Sequence, residues 1–247
     1  MKVIGQFIFR TRNTGDFVSS PLRYFDFPNA EMLDMRDSNY RADAVIFGGG
    51  ALGTRLHNHR AHRSAAPIAV AWGVGTSIHR QKSVGTAADW LALYGSREYG
   101  QAGAEYVPCA SCMSAHFDKS YPVEHEAVVY WNRDPRVGKP AIKGLPSMHN
   151  EQPFEQVIAF LGSAETVITN SYHGAYWSQL LGKKVVIVGA YSSKFYHYKF
   201  PPAYAEASDW KEAAAQAIAY PEALDDARSS NRDFYERVMS RIADAGE

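Results

Sequence analysis

Apolar residues come in short runs separated by polar, glycine-containing turns, and that rhythm predicts the elements of the chain. Residues 2–9, 43–47 and 68–72 are β-prone runs, and the last two run straight into Gly48-Gly49-Gly50 and Gly73-Val74-Gly75. Strand followed by glycine turn, repeated, is the mark of a wound sheet with a ligand edge. Residues 87–94 read as a short helix leading to Arg97. The polar stretch 114–125, with Pro122, breaks the pattern, and a second series opens with a strand at 127–131 and a Pro-, Gly- and Lys-rich loop at 134–146. Residues 153–162 place Phe154, Val157, Ile158 and Leu161 on one helical face, and two closing helices are expected at 209–219 and 221–245, the second striped by Phe234, Val238 and Ile242. The expected organisation is α/β in two halves, 1–118 and 119–247.

The stretch 166–188 is the most informative. An apolar pair, Val167 and Ile168, leads through Asn170, Ser171, Tyr172, His173 and Gly174 into an amphipathic run that Gly182 stops, and 185–188 is another buried strand. Ser171 and His173 therefore stand at the first turn of a helix, where free backbone N–H groups and the helix dipole favour anions.

Composition narrows the class. With 247 residues, 46% of them hydrophobic, the chain fills either one large α/β core or two small ones. The 26 basic residues balance 26 acidic ones, so nothing indicates whole-molecule attraction to nucleic acid. No run approaches the roughly 18 apolar residues of a membrane span, and the N-terminus reads as a strand, not a signal peptide. Two cysteines make no disulfide framework, which points to a reducing cytoplasm.

Gly48-Gly49-Gly50-Ala51-Leu52-Gly53 has the form G-x-G-x-x-G directly after a strand, but residues 44–88 contain no Asp or Glu to hold a ribose. That argues against a dinucleotide. Two readings stay open: an anion-friendly turn served by Arg55, Arg60, Arg63, Arg80 and Lys82, or a tight turn with solvated arginines. His57, His59 and His62 lack the spacing of a helical metal pair and have no acidic partner nearby. Cys109 and Cys112 would need two more ligands, from His116, Asp118 or His125, to form a zinc site, and read better as two partly buried thiols without a chemical role. Asp16, behind Asn13 and Gly15, suits either a helix cap or a site carboxylate. His173 suits either a general acid or base or a packed capping histidine.

Four pieces in order resemble the polysaccharide pyruvyl transferase family, in particular its shorter members that place ketal pyruvate on exopolysaccharide sugars. They are Asn13-Thr14-Gly15-Asp16, Asp43-Ala44-Val45-Ile46-Phe47-Gly48-Gly49-Gly50, Trp72-Gly73-Val74-Gly75 with Arg97, and Val167-Ile168-Thr169-Asn170-Ser171-Tyr172-His173-Gly174. The resemblance implies a compact GT-B-like fold of two Rossmann-like halves facing a cleft. It implies phosphoenolpyruvate as donor, a saccharide or lipid-linked oligosaccharide as acceptor, peripheral association with a membrane through that acceptor, and neither metal nor cofactor. On it His173 is the general acid or base and Asp16 accepts a proton from a sugar hydroxyl. Arg97, Lys194 and Lys199 clamp anions, and Asn170, Ser171 and Gly174 at the helix start seat the phosphate. Asn13, Gly15 and the turn Gly48, Gly49, Gly50 line the acceptor side. A nucleotide-sugar glycosyltransferase on the same scaffold and a non-catalytic carbohydrate-binding or assembly protein are the alternatives.

Overall fold

The computed structural model describes residues 1–7, 11–37, 39–58 and 66–244, the side chains of Phe7, His57 and Asn58 excepted. The tail of the first expected strand (Ile8, Phe9), the histidines His59 and His62, the arginines Arg60 and Arg63, and the end of the last helix at Ala245 lie outside the described residues, as does the side chain of His57.

The first half opens with β1 (Val3–Phe7), the short helix α1 (Thr14–Phe17), β2 (Ala30–Asp34), β3 (Ala44–Gly48), α2 (Gly53–Asn58), β4 (Ile68–Val74), β5 (Leu93–Ser96) and β6 (Glu105–Tyr106). Its six strands are all parallel in the order β2-β1-β3-β4-β5-β6. Ala44 and Ile46 of β3 join one apolar cluster while Val45 and Phe47 join another, so both faces of the sheet are covered. A strand buried on both faces reads as an unbroken apolar run.

The second half holds β7 (His125–Trp131), β8 (Ser147–His149), α3 (Phe154–Gly162), β9 (Ala164–Thr169), α4 (Tyr172–Leu180), β10 (Lys184–Val188), β11 (Ala203–Ala205), α5 (Trp210–Gln216) and α6 (Ala223–Asp244). Its sheet is parallel in the order β11-β10-β9-β7-β8. Counted from each half's own first strand, both sheets share one arrangement: the second strand lies outside the first, and the later ones extend the other way. The molecule is thus α/β with two doubly wound, Rossmann-like halves. In such sheets the crevice opens at the carboxyl ends of the strands where the order reverses, here between β1 and β3 and between β7 and β9.

The halves interlock. Phe234, Val238 and Ile242 of α6 pack on the first sheet with Val3, Ile46, Val70 and Trp72. In return Val18, Cys109 and Cys112 enter the core of the second half. Asn231, fully buried on α6, ties the two together: its Oδ1 accepts from Trp72 Nε1 at 2.7 Å, and its Nδ2 donates to the carbonyls of Pro108 at 3.2 Å and Ala227 at 2.9 Å. Tyr176 Oη donates to the Cys109 carbonyl at 2.9 Å and Trp177 Nε1 to Ser111 Oγ at 2.9 Å. Both thiols are free and fully buried rather than partly so.

The helix expected at 87–94 is not formed. Tyr94 lies instead in β5, paired with Ala71, and the residues before it are held by Trp90, which stacks edge-on against Phe47 and donates to the Leu56 carbonyl at 3.0 Å. Among the described residues no helix is long and apolar enough to cross a membrane.

Asn231→Ala strands the Trp72 indole N–H and the Pro108 carbonyl in the core. Each buried orphan costs about 1–3 kcal/mol. The variant is expected to lose about 3 kcal/mol of unfolding free energy in urea; an unchanged midpoint would show that the halves are not joined through this residue.

Candidate functional site

The crevices of the two sheets meet in a single cleft of about 610 Å³. The first half supplies Asn13, Asp16, Arg55, Ser77, His79 and Arg97; the second supplies Asn132, Asp134, Arg136, Ser171, Tyr172, His173, Tyr191 and Lys194.

Asn13 caps α1: its Oδ1 accepts from the Gly15 N–H at 3.1 Å while its Nδ2 donates to Asp16 Oδ2 at 3.0 Å. The short helix is therefore both capped and used to orient a carboxylate. Across the cleft, Ser171 caps α4, its hydroxyl accepting from the Gly174 N–H at 3.4 Å. His173 follows two residues later, 6% exposed, its ring 4.9 Å from that of Trp177 and its Nε2 buried without a partner among the described residues. Gly15 lies directly against this imidazole, and a Cβ there would occupy the place of Nδ1. The turn Asn13-Thr14-Gly15-Asp16 and the histidine turn, far apart in the chain, are thus two sides of one contact.

Arg97 is the floor. It is 3% exposed, its guanidinium carbon lies 3.8 Å from the centre of the Tyr172 ring, and its side chain has no hydrogen bond or ion pair with any described residue. Gly75 makes room for it, since a Cβ on that residue would overlap the guanidinium. A buried charge normally carries a counter-ion in contact; this one rests on a ring face and feels the carboxylates of Asp16 and Glu98 without pairing with either.

The neighbouring groups feel that charge. His173 is held well below its usual pKa by burial first, then by Arg97 and Lys194, so it is neutral. Burial, with Arg97 beside it, lowers Lys194 to about 7, against the pull of Asp16 and Asp134. Burial raises the Asp16 carboxyl even though Arg97, Lys194 and the Asn13 hydrogen bond all favour its anion.

The remaining sequence expectations divide. Gly49 and Gly50 adopt left-handed backbone, with φ of 61° and 70°, as a tight turn needs. Their turn is laced to the second glycine turn: Gly49 N–H donates to the Trp72 carbonyl, Gly75 N–H to that of Gly50 and Gly53 N–H to that of Gly75, each at 2.9 Å. Gly48 is packed on Pro21, Gly49 on Ser19, and Gly50 behind Asp16. The motif supports the carboxylate and does not face the cleft; Ala51 does. Asn170 is structural, its Oδ1 accepting from the Asn132 N–H at 2.8 Å and its Nδ2 donating to the Gly138 carbonyl at 2.9 Å. Gly174 lets α4 sit down on Thr169 and Tyr130. Lys199 lies apart, ion-paired with Asp226. Missed in the sequence were Asn132, Asp134 and Arg136. The signal was there: an Asn follows the first strand of the second half, as Asn13 follows that of the first. Among the described residues no three His, Cys, Asp or Glu side chains stand close enough to hold a metal ion.

Compared with protein-family models, with curated proteins and with solved structures, the chain finds no match.

Lys194 keeps its charge in the unfolded chain up to roughly pH 10.4 but in the folded protein only up to about 7. Between those values the unfolded chain binds the extra proton, so this residue makes stability rise with pH. Lys194→Met is expected to melt above the wild type at pH 7, with the gap closing towards pH 10, by scanning calorimetry. An equal gap at both pH values would show that the lysine is not held under charge strain.

Proposed function

We propose that the protein is a pyruvyl (ketal) transferase that moves pyruvate from phosphoenolpyruvate to two hydroxyls of a saccharide or lipid-linked oligosaccharide, with its two halves in a GT-B-like arrangement. The observation that carries this reading is the buried Arg97 guanidinium, unpaired among the described residues, beside Lys194 at the floor of a cleft whose walls bear Asp16 and His173. Phosphoenolpyruvate brings a phosphate and a carboxylate on one small carbon frame, the charge such a floor lacks. Charge-assisted hydrogen bonds from guanidinium and ammonium are the strong ones.

The opposite pKa directions of the two wall groups divide the chemistry between them. Asp16, whose carboxyl is raised, gives its proton to the methylene carbon, and positive charge develops at the carbon bearing phosphate and carboxylate. His173, held neutral, takes the proton of the first sugar hydroxyl as its oxygen bonds to that carbon. Phosphate departs with the proton from His173, and the second hydroxyl closes the ketal, returning its proton to Asp16. Both side chains end as they began. One hydroxyl proton has gone in effect to the new methyl group and the other to phosphate. Asp16 is thus the acid of this scheme, a role that its burial favours over the proton acceptor implied by sequence resemblance.

The facing of two doubly wound halves also suits a nucleotide-sugar donor, and a ligand screen separates the two. A ligand present at 100 times its dissociation constant adds about 2.7 kcal/mol of apparent stability. Phosphoenolpyruvate is expected to raise the melting temperature and sugar nucleotides to leave it unchanged; the reverse would replace pyruvyl transfer by glycosyl transfer. Glycan binding without turnover of either donor would mark a carbohydrate-binding protein. With donor and acceptor together, His173→Ala is expected to abolish phosphate release while still melting in one cooperative transition, at a lower temperature because the packed imidazole is lost. Wild-type turnover in that variant would sink the scheme.

A further inference from the structure

Tyr191 lies in the cleft next to Lys194, and nothing in the scheme above uses it. Its hydroxyl oxygen accepts two hydrogen bonds, one from Asn132 Nδ2 at 3.1 Å and one from Lys194 Nζ. The orientation of the Asn132 amide is fixed by groups that can only donate. Its Oδ1 accepts from the backbone N–H of Asp134 at 3.1 Å and from Asn150 Nδ2 at 3.1 Å. Asn150 is held in turn, because its own Oδ1 accepts from the Arg133 N–H at 2.9 Å. A backbone N–H cannot be an acceptor, so the Asn132 oxygen must face Asp134 and its NH₂ must face Tyr191.

A phenol oxygen has two acceptor sites and one proton to give. With an oxyanion in the cleft Lys194 is held as its ammonium, which has donors only, so both acceptor sites of Tyr191 are filled. The O–H proton has no acceptor among the described residues. We propose that Tyr191 is a ligand-binding residue whose hydroxyl donates to an acceptor-only oxygen, a phosphate or carboxylate oxygen of the bound molecule, and that Asn132 is the positioning residue that fixes this polarity. A ligand hydroxyl is disfavoured at this point, since it would have to accept there while Lys194 and Arg97 beside it call for negative charge. The inference rests on reading the cleft as an oxyanion site and adds the residue that selects the oxygen type.

The probes are phosphoenolpyruvate and inorganic phosphate, titrated calorimetrically into the whole protein. Tyr191→Phe keeps the ring and the fold, and is expected to weaken both probes by about tenfold or more, the range of a charge-assisted hydrogen bond. That variant also removes an acceptor from Lys194, so a second one is needed. Asn132→Asp keeps the oxygen that faces Asp134 but turns the other arm into an acceptor, which captures the Tyr191 proton and leaves Lys194 its partner. Repulsion from the new carboxylate is the same whether residue 191 is Tyr or Phe, whereas loss of the donor occurs only with Tyr. Asn132→Asp is therefore expected to cost several-fold more in the Tyr191 background than in the Tyr191→Phe background. Equal costs in both backgrounds, or wild-type affinity in Tyr191→Phe, would overturn the role of Tyr191 and leave the pyruvyl transfer reading standing. A wild-type protein that binds neither probe would overturn both.

Discussion

A guanidinium buried against a ring face, without a carboxylate of its own among the described residues, sets the character of this molecule. Arg97 belongs to the first half and the Tyr172 ring to the second, so the contact that shelters the charge also closes the floor of the cleft. Arginine is the side chain suited to such a place, because it stays charged at any accessible pH and is weakly hydrated. Its neighbours share the dry surroundings and feel its charge. His173 and Lys194 are pressed towards their neutral forms by burial first and by Arg97 second, while the half-buried Asp16 carboxyl, pulled the other way by the same cations, still ends above its ordinary value because its burial outweighs them. Burial sets the direction in all three groups, and the fixed charge of Arg97 adds to it in two and opposes it in the third.

Both sheets bring their reversal points to the same cleft, and the same solution appears in each. Asn13 follows β1 and Asn132 follows β7; each bonds through its amide nitrogen to a functional side chain, Asp16 in one case and Tyr191 in the other. An amide locked by backbone donors is a good device for this purpose. It has no charge to be disturbed by Arg97 and its two ends differ, so it can impose a direction on the group it touches.

Much of the framework was legible in the sequence because local pattern carries it. The runs in β3, β4 and β10 are apolar over most of their length, β9 carries the pair Val167 and Ile168, and the stripe of α6 repeats at helical spacing. What escaped depends on distant partners. Tyr94 and Gly95 join a strand because Ala71 pairs with the first, and Val107 and Phe234 close over the second. β2 is an edge strand with one buried residue, too little burial to leave a pattern. In the site, Asp16 and His173 were readable at turns between apolar runs, Arg97 and Lys194 came in only through the family resemblance, and all four line one cleft. Lys199, named beside Lys194 on the same resemblance, lies outside the cleft because Asp226 claims it. The glycine fingerprint, already set against a dinucleotide by its missing acid, forms the tight turn that was one of its two open readings; the acceptor-side place given to it by the resemblance fails because three of its N–H and C=O groups bond to the neighbouring glycine turn.

The return of α6 across the first sheet also bears on how the molecule is made. During synthesis the first six strands emerge long before Phe234, Val238 and Ile242, so the face holding Ile46, Val70 and Trp72 has only the partial cover of first-half residues such as Phe25 and Phe27 until those three arrive. Its leading half completes its apolar face only when α6 arrives, so a helix made with the second half finishes the first sheet.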